Sequence, residues 1–151
     1  MVIKMKNTSL CLYITVLAGF FLFSGCCSSV SQKNQIVSQD MLSHHNFILQ
    51  SVNGVPFKNE RVTPSLAFNE GMHISGAMCN RFFGPYTLEN NILKAQMAST
   101  MMMCLEEELN QYENLLYKMI AEGVEVEYSG DILTLRQGSH VFVYKLKDFV
   151  R

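Results

Sequence analysis

The chain has 151 residues, room for one domain with short extensions but not for two. Hydrophobic residues make up 48% of it and charged residues 17%, which excludes a disordered or fibrous chain. The formal net charge is −1; without Lys4 and Lys6 near the start, 10 basic residues face 13 acidic ones, and the balance is −3. Scattered lysines on a mildly acidic chain lack the basic stripe that nucleic acid requires, so that class of partner is set aside.

Met1 to Asn7 is a short basic stretch, and Leu10 to Phe23 is an apolar run of 14 residues. Spanning a ~30 Å hydrocarbon core takes about 20 apolar residues, so the run suits the hydrophobic part of a secretion signal better than a permanent span. Small residues then lead to a thiol in Leu22-Phe23-Ser24-Gly25-Cys26. This resembles the bacterial lipobox, in which the cysteine is acylated and the chain is cut just before it. Ser24 and Gly25 fit a narrow protease site, and the Cys26 thiol supplies the nucleophile for a thioether. Phe23 stands where the lipobox usually has Leu, with Leu22 one place earlier; Cys27 is the alternative modified residue, and an uncleaved anchor or a signal cut elsewhere the alternative fate. The residue after Cys26 is not Asp, which favours an outer-membrane destination. The expected division is therefore a signal peptide over 1–25, a lipidated Cys26 and polar tether over 26–40, and one domain over 41–151.

Within the domain, Ser38 to Leu42 reads as a helical turn capped by Ser38 or Asp40. Phe47 to Val52 is the first good strand, closed by Asn53-Gly54, a strong hairpin turn. Ser65 to Asn69 and Met72 to Gly76 pair around Glu70-Gly71, and Tyr86 to Leu88 and Ile92 to Ala95 around Asn90-Asn91. From Leu105 to Glu122 the period changes: Leu105, Leu109, Tyr112, Leu115, Leu116, Met119 and Ile120 fall at three- and four-residue spacings. Glu106, Glu107 and Glu108 lie where acids favour the positive end of a helix, and Gly123 follows the last turn. Three strands, Val124 to Tyr128, Ile132 to Arg136 and His140 to Leu146, then form a meander with three-residue glycine turns. The fold class is α+β: a curved, mostly antiparallel sheet or small barrel with one main helix over about 105–122.

Two cysteine-bearing blocks carry most of the information. The first runs Ile74-Ser75-Gly76-Ala77-Met78-Cys79-Asn80-Arg81-Phe82-Phe83-Gly84-Pro85-Tyr86, and the second Met97-Ala98-Ser99-Thr100-Met101-Met102-Met103-Cys104. With Ser51 to Gly54 upstream and Leu133-Thr134-Leu135 downstream, the stretch from about Ser43 to Lys147 resembles the META domain family. Met101 stands where that family usually shows Arg. The resemblance implies a small envelope domain, induced by stress in some members and associated with tolerance of the antibiotic novobiocin, and it implies no enzymatic activity.

Cys79 and Cys104 are the expected disulfide, since an exported compartment permits one; two unpaired buried thiols are the alternative. The residues that suggest binding are Asn80, Arg81, Phe82 and Met102. Arg81 is as readily a functional charge as a donor to a loop carbonyl. Asn80 is expected to shape a turn, Phe82, Phe83 and Tyr86 to enter the core, and Met97, Met101, Met102 and Met103 to fill gaps there, although alternation forbids burying all four on an extended chain. His44, His45, His73 and His140 have no metal-ligand spacing, and no cofactor is expected. No nucleophile elbow occurs, and paired carboxylates are confined to the helix start. The expected partners are a membrane, through the lipid anchor, and an envelope protein or apolar small molecule, for a non-catalytic lipoprotein. A purely structural part in envelope integrity is the alternative.

Overall fold

The computed structural model describes residues 35–59 and 61–149; the expected signal peptide, Cys26 and the tether up to residue 34 lie outside them. Local chemistry sets most of the strand boundaries. Asn53 and Gly54 have φ of 51° and 79°, and Asn90 and Asn91 have φ of 52° and 63°. Two successive residues at positive φ match the twist of antiparallel strands, and Asn and Gly adopt that region at least cost. Between these turns, apolar residues alternate with polar ones, and the strands follow that period.

In chain order the elements are α1 (Gln39–Leu42), β1 (His45–Val52), β2 (Val55–Pro56), β3 (Ser65–Asn69), β4 (His73–Ala77), β5 (Arg81–Glu89), β6 (Ile92–Ala95), β7 (Ala98–Ser99), α2 (Glu107–Glu122), β8 (Val124–Ser129), β9 (Ile132–Gln137) and β10 (His140–Phe149). Neighbouring strands run in the order β10-β9-β8-β6-β5-β4-β3-β1, and β10 pairs with β1. Eight antiparallel strands thus close into a barrel, with β2 and β7 as short additions on β1 and β5. Closure runs from His45 opposite Phe149 to Val52 opposite Phe142, with irregularities after Asn46 and Leu49 that bend the ladder. It removes the free sheet edges that would otherwise invite pairing with other chains.

The barrel encloses a packed core. Phe47, Leu66, Phe68, Ile74, Leu93, Leu133, Phe142 and Tyr144 are fully buried, and Phe47 meets Phe68 edge to face at 6.0 Å. One end is crossed by α2, whose Tyr117 packs on Phe82 at the start of β5 and whose Tyr112 packs on Phe142 at the start of β10. The Gln137 side chain, at the end of β9, donates to the Gly123 carbonyl that follows the helix. The opposite end is closed by residues 35–44. There the Asn91 side chain accepts from the Val37 N–H at 2.7 Å and donates to the Gln35 carbonyl at 3.0 Å, while Val37 and Leu42 are buried.

Three expectations change. Residues 35–40 were expected as tether, but they belong to the folded unit because Val37 has a core position and a side-chain partner. The meander turns hold two residues, not three: Ser129 pairs with Ile132 and Gln137 with His140, leaving Gly130-Asp131 and Gly138-Ser139. The main helix begins at Glu107, and Leu105, counted with its apolar stripe, is exposed before it.

Candidate functional site

The two cysteine blocks meet at the end of the barrel that α2 crosses. The stripe on α2 that faces the barrel consists of Leu109, Leu116, Met119 and Ile120, and Glu113 lies within it, buried. A carboxylate there needs donors, and the β4–β5 connection supplies them. The Cys79 and Asn80 backbone N–H groups donate to Glu113 Oε2 at 3.1 and 2.6 Å, and Asn80 Nδ2 donates to Oε1 at 2.8 Å.

Asn80 also binds the second block. Its Oδ1 accepts from the Met102 N–H at 2.7 Å and the Thr100 hydroxyl at 2.9 Å, and Nδ2 donates to the Met102 carbonyl at 3.3 Å. The Thr100 N–H donates to the Arg81 carbonyl at 3.0 Å, and Thr100 Oγ1 accepts from the Arg81 N–H at 3.1 Å. A disulfide between Cys79 and Cys104, with Cα atoms 5.9 Å apart, ties the two segments covalently. Asn80 therefore fills every role an amide can, as expected of a residue that shapes a loop. Glu113 was missed from sequence; its signal was a charged residue four positions after Leu109 on an otherwise apolar stripe.

Close packing explains the motif glycines. A side chain at Gly76 would strike the Ser65 carbonyl oxygen and the Phe82 ring, and one at Gly84 would strike the Gln96 carbonyl oxygen. Both strands are approached too closely for a Cβ.

What the clamp displays is apolar and exposed. Met101 is 97%, Met102 61%, Met103 93%, Leu105 87% and Phe83 65% exposed. The expectation that Met101, Met102 and Met103 enter the core is corrected: the interior is already filled, and the disulfide and Asn80 hold their backbone at the rim. Met97 alone of the four packs partly against the core. Phe83 is likewise corrected, because alternation along β5 turns Phe82 and Tyr86 inward and Phe83 out. Of the four residues that suggested binding, Phe82 lies in the core, Asn80 in the clamp, and Arg81 and Met102 on the surface.

The chemistry available here is limited. Three N–H donors occupy the Glu113 carboxylate, which suits a structural role. Tyr117 is pushed up to about 12, first by burial and then by the charge of Glu113. Among the described residues no three His, Cys, Asp or Glu are grouped to hold a metal ion. Two surface depressions, of about 330 Å³ beside Lys94 and Ala121 and about 470 Å³ beside Phe57 and Pro64, are lined by none of the four suggested residues.

Comparison with known proteins gives consistent results. The META domain family matches residues 40–148. Heat shock protein HslJ of Escherichia coli (strain K12) is 40% identical over 130 residues, which is 85% of this chain and 91% of that protein. A structure solved by NMR is 42% identical, covers 74% of this chain and 97% of its own, and superposes with a TM-score of 0.69. A second NMR structure, of a Burkholderia xenovorans protein, is 18% identical with a TM-score of 0.58 over 72% of this chain and 86% of its own, and shows the shared fold.

Proposed function

Because this chain belongs to the META domain family, which it shares with a heat-shock protein, we propose that it is a non-catalytic envelope lipoprotein that docks an envelope protein on the rim of its barrel. Acylation at Cys26 anchors it, the outer membrane is its destination, and its role in tolerance of stress, including novobiocin, runs through the docked partner. The observation that carries this reading is the apolar group Met101, Met102, Met103, Leu105 and Phe83, exposed on a backbone fixed by a disulfide and a buried carboxylate. Large apolar side chains on a rigid base suit a docking surface, since little conformational freedom is lost on contact. A protein partner is favoured over an apolar small molecule because the barrel interior is filled by side chains.

The test is a photo-crosslinking residue placed at Leu105 in intact cells, with the same residue at the exposed wall position Glu127 as control. The expected result is a discrete adduct with an envelope protein from position 105, kept when Met101 and Met103 are changed to Leu and lost when both become Ser. Equal crosslinking from both positions, or an adduct indifferent to the serine changes, would overturn the docking reading.

A further inference from the structure

Three successive methionines on a fixed segment offer more than apolar surface, because each ends in a polarisable sulfur with a lone pair to donate. Thioether sulfur is a poor ligand for hard or borderline cations and a good one for Cu(I). We infer that Met101 and Met103 form a site for a soft monovalent metal ion, Cu(I), bound through their thioether sulfurs.

Four observations carry this. The two side chains are 97% and 93% exposed, so their sulfurs are accessible from solvent. Residues two apart on a non-helical segment have Cα atoms at most roughly 7 Å apart, within reach of convergence for side chains with three rotatable bonds. The backbone beneath them is held by Asn80 at Met102 and by the disulfide at Cys104, so binding does not have to order the chain first. The acids Glu107 and Glu108 follow within a few residues, both exposed, and lend the rim a negative field that favours a cation.

The donor set also decides which metal is refused. Cys79 and Cys104 are joined to each other, so neither supplies the thiolate that a zinc site would use. Coordination here involves no electron transfer: copper enters and leaves as Cu(I), and the disulfide is untouched. The inference rests on the clamp geometry and stands apart from the docking reading. Leucine at 101 and 103 preserves apolar surface while removing sulfur, so the two can fail separately.

The experiment uses the lipidated protein in detergent, with Cys27 alkylated by iodoacetamide so that no free thiolate competes. Cu(I) is titrated without oxygen against a chromophoric Cu(I) chelator, for the parent chain and for Met101→Leu/Met103→Leu. The expected result is one Cu(I) withdrawn per parent chain and at least about tenfold weaker binding in the double variant. With Ag(I) as a redox-inert probe, the methyl NMR signals of Met101 and Met103 shift and that of Met97 does not; Zn(II) moves none of them. Equal Cu(I) affinity in the two proteins, or Ag(I) shifts spread evenly over all methionines, overturns the site. Because the replaced side chains are exposed, the double variant should melt with the parent, and a melting curve confirms that lost binding is not lost folding.

Discussion

At the residue scale, Glu113 holds the two cysteine blocks to the helix. Its carboxylate satisfies two backbone N–H groups and one side-chain amide in a buried position. Glu113→Ala leaves those donors unpaired, and bonds to charged groups contribute about 1.5 to 3 kcal/mol each, so a loss of at least about 2 kcal/mol is expected in denaturant unfolding. Asn80→Ala is expected to loosen the Met101–Met103 segment as well, because Asn80 alone binds both polar groups of the Met102 backbone. Tyr117 gives a pH signature of the same neighbourhood. Its hydroxyl ionises near 12 in the folded protein against 10.0 ordinarily, so the fold holds the protonated form. Above pH 10 the unfolded chain loses this proton while the folded one keeps it, so stability falls as pH rises from about 10 to about 12. Tyr117→Phe should reduce that fall, measured as the change of unfolding free energy over this window.

At the element scale, the disulfide closes a loop that spans β5, β6 and β7, with a sequence separation of 25. For a loop of this size the chain-entropy estimate is roughly 3.5 kcal/mol, so Cys79→Ser/Cys104→Ser should be destabilised by about that much in urea. Beyond the simple loss of stability, the variant should show faster amide exchange over residues 100–105, because the bonds of Thr100 and Asn80 then hold that segment without the covalent tie.

The elements most legible in the sequence are those decided by near neighbours. Asn53-Gly54 and Asn90-Asn91 fix their hairpins by their own backbone preferences, and the α2 stripe declares a helix by its spacing. The pairing of β1 with β10 is not local: Phe47 meets Leu146 across nearly the whole domain, and no short-range signal specifies such a partner. The site divides the same way. Cys79, Cys104 and Asn80 could be read from their motif, whereas the exposure of Met101 and Met103 follows from a full interior, a property of all the strands together. Leu105 misled for a related reason: it continues the apolar spacing of the helix, yet the chain there is still descending from the disulfide, and helical geometry starts two residues later.

At the scale of the whole molecule, the barrel has two dissimilar ends. The chain enters at the end closed by Val37, Leu42 and Asn91, while Cys79, Asn80 and Met102 gather at the end crossed by α2. The clamp depends on compartment, since a stable disulfide between Cys79 and Cys104 belongs to an oxidising space.

The proposed export and anchoring are tested most directly by the intact mass of the protein recovered from cell membranes. The predicted species begins at Cys26, carries the mass of its acyl groups on that residue, and is two hydrogens lighter for the bond between Cys79 and Cys104. A soluble species that retains residues 1–25, with both of those cysteines reduced, would contradict it.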